Sequence, residues 1–153
     1  MTTLDTPDMP LLRRGVHGQH VGTYVGRPSV FGNPFRSAEH GREGAVGLYR
    51  ARLVEETSKV TSPLKRALET LLETLKAGGE VVLVCWCRLD QECHADCLIE
   101  HLTDRLEEAQ RLADFEARLP TLVEEGLELG RLLQKRLEPM LRVTADDLSI
   151  RVK

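Results

Sequence analysis

The sequence has few aromatic residues and no excess of positive charge. Phe, Trp and Tyr make up 4% of the 153 residues, too few for a surface on which successive nucleic-acid bases stack. The 21 Lys and Arg are outnumbered by 24 Asp and Glu, for a formal charge of -3, so the bulk charge does not attract a phosphate backbone. A nucleic-acid partner is therefore disfavoured. The basic residues nearest the N-terminus are expected to form an ordinary solvated face: Arg13, Arg14, Arg27, Arg36 and Arg42.

Long apolar runs are also missing. No stretch approaches the roughly 20 apolar residues that cross a bilayer. The N-terminal segment MTTLDTPDMPLLRR has two Asp and no basic residue before Arg13, and prolines interrupt it, so it lacks the basic start and apolar centre of a secretory signal. We therefore expect no membrane partner and a cytoplasmic location.

Glycine is dense in the first third of the chain, where eight glycines fall between residues 15 and 47. That density is typical of turns and close backbone approaches. Short strands are expected over residues 11–17 and 20–25, and a helix over 43–56. Ser62 and Pro63 are typical of a helix start, and the apolar, β-branched residues 80–85 predict a buried strand. This pattern predicts an α/β fold with a small, partly parallel, Rossmann-like sheet flanked by helices.

Glycine almost disappears after Cys93, and leucines recur there at helical spacing. We expect an α/β ligand-binding domain over residues 1–103 and a helical arm or hairpin over 104–153, with Pro120 at a bend. The arm would leave leucines exposed, so we expect it to pack against a second copy in a two-fold homodimer. The alternative is a monomer whose hairpin folds back across the sheet.

The segment YVGRPSVFGNPF, residues 24–35, offers polar groups on a loop stiffened by two prolines. Arg27 presents a planar fork of donors that suits phosphate or carboxylate. The candidate ligand-binding residues of this loop are Gly26, Arg27, Ser29, Gly32 and Asn33. The alternative is a rigid turn that Phe31 and Phe35 anchor to the core.

All four cysteines lie within 13 residues and surround a histidine: Cys85, Cys87, Cys93, His94 and Cys97. A disulfide framework spreads its cysteines along the chain, so this cluster indicates a local site instead. One interpretation is a metal centre in which Cys85, Cys87, Cys93 and His94 hold zinc. Another is an iron–sulfur cluster on three thiolates with one open position.

Two interpretations of the cluster need no metal. Cys93 and His94 are expected at the start of a helix, whose positive end favours a thiolate. Cys93 would then be a nucleophile or redox thiol, with His94 as its acid–base partner and Asp96 orienting the histidine. In the last interpretation the cysteines are small, buried core residues without chemistry.

The combination of GRPSVFGNPF (26–35), LVCWC (83–87) and CHAD (93–96) resembles the DUF4326 family, an uncharacterised α/β domain also found in phage genomes. The resemblance covers about residues 10–103. It implies an α/β fold and a site but no reaction. The positions that it carries over are Gly26, Arg27, Gly32, Asn33, Pro34, Cys85, Cys87, Cys93, His94 and Asp96.

Both motifs follow predicted strands, so a parallel sheet would bring them to its carboxyl edge, where open α/β sheets bind ligands. A guanidinium beside a helix N-terminus suits an anion. The sequence thus predicts a protein that binds a nucleotide-like anionic small molecule. Processing of that molecule is an additional interpretation that the sequence leaves open. The alternative function is a module stabilised by zinc or an iron–sulfur cluster, whose arm mediates oligomerisation or partner binding. Whether the protein is an enzyme is left open.

Overall fold

The computed structural model describes the backbone of residues 12–150 and the side chains of residues 12–139. Residues 1–11 lie outside these described residues. They include most of the N-terminal segment, which is expected not to be a secretory signal. The elements in chain order are β1 (Leu12–Val16), β2 (Thr23–Tyr24), α1 (Ser37–Ser58), α2 (Pro63–Lys76), β3 (Val81–Cys85) and α3 (His94–Ile150).

The three strands form a parallel sheet in the order β1-β3-β2. Val16 pairs with Cys85 on one side of β3, and Tyr24 pairs with Val84 on the other. All five residues of β3 are buried, as expected for a strand with neighbours on both sides and helices on its faces. The predicted α/β fold is therefore confirmed, and the described sheet is parallel throughout.

The helices pack their apolar sides into one core with the sheet. The α2 helix starts as predicted, with Pro63 in its first turn and the Ser62 hydroxyl accepting a hydrogen bond from the Lys65 amide. The α1 helix begins earlier than predicted and is kinked at Gly41, where φ is 70°, a conformation that glycine adopts without strain. The largest fully buried core side chains include Tyr49, Leu64, Leu75, Leu83, Leu98 and Leu102.

The last element is one long helix, α3, and the described chain divides into two compact units at Ala109 and Gln110. Of the two predicted forms, the structure has the arm and not the hairpin. The helix is not interrupted at Pro120, since α3 continues through both Pro120 and Pro139, and the bend expected at Pro120 stays a prediction. A proline removes a single backbone donor, and the leucine-rich and glutamate-rich flanks favour helix on both sides. None of the described helices is long and apolar enough to cross a membrane.

Candidate functional site

The cysteine cluster lies where β3 ends and α3 begins. After Cys85 the chain bends through Trp86 and Cys87, and it enters α3 at His94. Cys93 caps that helix: its amide donates to the Asp96 carboxylate (3.1 Å), and its sulfur accepts from the Ala95 amide (3.4 Å). The first bond is one half of a capping box, whereas the sulfur accepts from the second helical residue instead of the third. The cap fixes the direction of the Cys93 side chain.

Three buried side chains of this junction form a group that can hold a metal ion. The ligand atoms of Cys85, Cys93 and His94 all lie within 4.8 Å of one another. The Cys93 Sγ and the His94 Nδ1 are 3.7 Å apart. Tetrahedral zinc with ordinary Zn–S and Zn–N bonds would separate these two atoms by about 3.6 Å. The observed separation therefore suits one shared ion.

The tautomer of His94 is set by its surroundings. Its Nε2 lies 2.7 Å from the carbonyl oxygen of Val25, the residue that follows β2. A carbonyl only accepts, so Nε2 carries the proton and the lone pair is on Nδ1, the atom that faces Cys93. The Tyr49 ring packs edge-on against the imidazole at 5.0 Å. Histidines that ligate metals usually donate their other ring N–H to a carbonyl or carboxylate, as His94 does here.

The two buried thiols of the group affect each other's ionisation. A hydrogen bond from the Cys93 thiol lowers the pKa of Cys85 to about 5, although burial opposes the shift. The same hydrogen bond and burial raise the pKa of Cys93. Cys85 therefore ionises more readily than Cys93. A metal ion that binds both sulfurs displaces their protons, since thiolates are the ligands.

The remaining two cysteines have different positions. The Cys87 sulfur lies 3.8 Å from the Cys85 sulfur and 3.7 Å from Nη1 of Arg42, and its side chain is half-buried. Cys87 therefore borders the group of three without belonging to it. Cys97 is buried in the hydrophobic core, where burial raises the pKa of its thiol. For Cys97 the core-packing interpretation describes the structure.

Arg14 of β1 holds the junction in place, and the sequence reasoning missed it. Its side chain is 8% exposed and binds the Asp96 carboxylate. The same guanidinium donates to the backbone oxygens of Arg88 (2.8 Å) and Gln91 (3.0 Å). One cation therefore ties the loop after β3 to the cap of α3. Arginine in a strand next to a buried strand was the available signal, but the sequence alone names no partner.

The loop after β2 is held by internal hydrogen bonds. Asn33 donates to the Ala45 carbonyl and accepts from the Phe35 amide, both at 2.9 Å. The Tyr49 hydroxyl donates to the Phe31 carbonyl at 2.6 Å. A side chain at Gly26 would collide with the Tyr24 hydroxyl, 2.4 Å from the added carbon. Asn33 and Gly26 thus shape the loop, as the rigid-turn interpretation expects.

A cavity of about 290 Å³ joins this loop to the cysteine cluster. The cluster borders it through Cys85, Cys87, Cys93 and His94, and the loop through Gly26, Arg27 and Asn33. The Arg27 side chain is exposed, and no hydrogen bond or ion pair holds its guanidinium among the described residues. Arg42 and Glu92 also line the cavity.

The predicted ligand-binding residues are divided between two cavities. Ser29 and Gly32 line a neighbouring cavity of about 360 Å³ instead, and Arg27 borders both. The Ser29 hydroxyl oxygen is buried, and no described residue hydrogen-bonds to it. Of the predicted set, Arg27 is therefore the residue with free donors beside the cysteine cluster.

The residues predicted for metal-free catalysis, Cys93, His94 and Asp96, lie close together, but each of them makes hydrogen bonds to other groups. Asp96 binds Arg14 and the Cys93 amide, while the His94 ring is held by Val25. Cys93 is 1% exposed and caps α3. These contacts favour ligand and positioning roles, and the catalytic assignment of the three residues stays a prediction.

The sequence of the α/β region matches a recognised family of domains. The family model described as a domain of unknown function, DUF4326, matches residues 12–104. The chain belongs to the DUF4326 family, as the sequence motifs predict. No curated protein and no solved structure matches the chain.

Replacing Arg14 tests its role at the junction. Arg14→Met is expected to lower the free energy of unfolding by about 1.5–3 kcal/mol, because one carboxylate and two carbonyls lose a charged donor. Arg13→Met is the matched control: Arg13 is 44% exposed and pairs with Glu80, so its loss should cost less than about 1 kcal/mol. Urea denaturation of both variants measures the difference. Equal losses would contradict the assigned role of Arg14.

Proposed function

We propose that this protein binds a small, anionic, nucleotide-like molecule in the cavity at the carboxyl edge of the sheet, beside a metal ion held by Cys85, Cys93 and His94. One observation carries the proposal. A single cavity is bordered by the three potential metal ligands and by Arg27, a cation without a partner among the described residues. Free arginine donors suit phosphate or carboxylate groups.

The charge of the cavity supports an anionic ligand once a metal is bound. A doubly charged ion on two thiolates and a neutral imidazole has no net charge. Arg27 and Arg42 then outweigh Glu92 among the lining residues. Without a metal, ionisation of Cys85, whose pKa is lowered, would oppose an anion. The proposal therefore expects metal and anion to bind together.

Zinc fits the group better than an iron–sulfur cluster. Two sulfurs and one nitrogen within 4.8 Å suit one tetrahedral ion, whereas clusters are held mainly by three or four thiolates. Three protein ligands also leave a fourth position, which in many zinc sites takes water or substrate. Because the ligands border the cavity, that position would be within reach of a bound molecule.

Metal analysis of variants tests the first half of the proposal. Protein purified without chelators is expected to contain one zinc per chain by mass spectrometry. Cys85→Ser and His94→Gln should each reduce that content several-fold, because each removes one of three ligands. Cys97→Ser is the matched control, since this buried cysteine lies outside the group, and its zinc content should match the parent. Full metal content in Cys85→Ser would contradict the assignment.

Replacing Arg27 tests the second part of the proposal, the binding of an anion. Arg27→Ala is expected to weaken binding of ribose 5-phosphate by roughly 2–3 kcal/mol in calorimetry, because a charge-assisted contact is removed. The melting temperature should change little, since the side chain holds nothing else. Arg36→Ala is the control, as Arg36 is exposed and does not line the cavity. Unchanged affinity with a large drop in melting temperature would show that Arg27 braces the loop instead.

A second candidate function is a metal-stabilised interaction module. The observation that favours it is the exposure of large apolar side chains in the second unit, from residue 110 onward. The exposed set is Leu112, Phe115, Leu119, Leu122, Val123, Leu127, Leu129, Leu132, Leu133 and Leu137. We propose that this helix pairs with its counterpart in a homodimer, because an apolar stripe in water drives association.

Light scattering tests the homodimer. The full chain at micromolar concentration is expected to have twice the monomer mass, and a chain ending at Leu119 should be monomeric because most of the exposed leucines are gone. A monomeric mass for the full chain would contradict the homodimer.

A further inference from the structure

The single tryptophan of the chain is exposed at the rim of the cavity. Trp86 directly follows β3, yet 66% of its surface is exposed. It lines the cavity together with Tyr24, and Arg27 and Arg42 lie along the same lining. Large aromatic side chains usually contribute to stability by being buried, but Trp86 is not buried. Its position therefore calls for another explanation.

Trp86 is exposed but held in a fixed orientation. The His17 ring lies over it, with ring centroids 4.0 Å apart and planes inclined by 31°. Its indole nitrogen donates to the Tyr24 hydroxyl at 2.9 Å, and that hydroxyl donates to the Arg27 carbonyl at 2.9 Å. The His17 and Tyr24 rings are in edge contact at 5.3 Å. The indole is therefore connected, through Tyr24, to the backbone of the free arginine.

A fixed, exposed aromatic ring is suited to stacking. Every planar heterocycle presents a π-face, so one aromatic side chain accepts different bases. A ring that is already ordered loses little conformational freedom when a ligand stacks on it. One such ring beside a cation matches a ligand with one base and one anionic group. The cavity, at about 290 Å³, is at the small end of ligand sites.

We infer that Trp86 is a stacking platform for the base of a 5′-mononucleotide whose phosphate binds Arg27. This inference rests on the proposed anion binding and adds to it the ligand class and the residue that recognises the base. His17 and Tyr24 are positioning residues for the indole. The remaining open face of the indole is the surface that meets the base.

Because Trp86 is the only tryptophan, its fluorescence reports on stacking directly. The full chain is titrated with AMP, GMP, CMP and UMP, and separately with ribose 5-phosphate, which has the same sugar and phosphate without a base. At least one nucleotide is expected to quench the fluorescence and to bind ten-fold or more tightly than ribose 5-phosphate. Calorimetry on the same samples gives affinities that do not depend on absorbance by the bases.

Variants of Trp86 test whether stacking on this residue causes the preference for a nucleotide over ribose 5-phosphate. Trp86→Ala should bind the preferred nucleotide no better than ribose 5-phosphate, and Trp86→Phe, which keeps a planar ring, should retain part of the difference. Leu89→Ala is the control, since Leu89 is an exposed apolar residue of the same loop that does not line the cavity. Its preference for the nucleotide should equal that of the parent.

Each contrary result has a distinct meaning. If ribose 5-phosphate binds as tightly as all four nucleotides, base stacking is overturned while anion binding stands. If a nucleotide is preferred equally by the parent and by Trp86→Ala, the stacking role of Trp86 is overturned. If neither ribose 5-phosphate nor any nucleotide binds, the inference and the proposed anion binding fall together.

Discussion

The hydrogen bonds of Arg14 hold the junction between β3 and α3, on which the arrangement of the site depends. One largely buried guanidinium binds the loop carbonyls of Arg88 and Gln91 and the carboxylate of Asp96. Asp96 in turn accepts from the Cys93 amide. These contacts keep the end of β3, with Cys85, next to the start of α3, with Cys93. Charge-assisted bonds are stronger than neutral ones, so a short loop is enough to hold two sulfurs close together.

The same junction joins the two sequence motifs into one site. The Val25 carbonyl, just before the Gly26–Arg27 pair, accepts a hydrogen bond from Nε2 of His94, which leaves the lone pair on Nδ1 facing Cys93. The Tyr49 hydroxyl holds Phe31 of that loop, while its ring packs against His94. The three potential metal ligands and the Arg27 guanidinium thus border the same cavity. In the proposed function, the metal neutralises the thiolates and Arg27 attracts the anion.

Local patterns predicted much of this structure. The apolar run of β3, the Ser62–Pro63 helix start and the clustering of cysteines at a strand end each depend on neighbouring residues, and each is found. Contacts between distant residues were not predictable. Arg14 and Asp96 are 82 positions apart, and the partner of His94 is a backbone carbonyl, which has no sequence signature. A hairpin was one of the two forms expected after residue 103, but α3 continues through Pro120, where the flanking helix outweighs one missing donor.

The central claim is that Cys85, Cys93 and His94 hold one metal ion beside the cavity. X-ray absorption at the zinc edge, on full-length protein purified without chelators, tests it most directly. The account predicts two sulfur neighbours at about 2.3 Å and a nitrogen or oxygen shell at about 2.0–2.1 Å. A spectrum with no sulfur shell, or a protein that takes up no zinc when the metal is supplied, would contradict it.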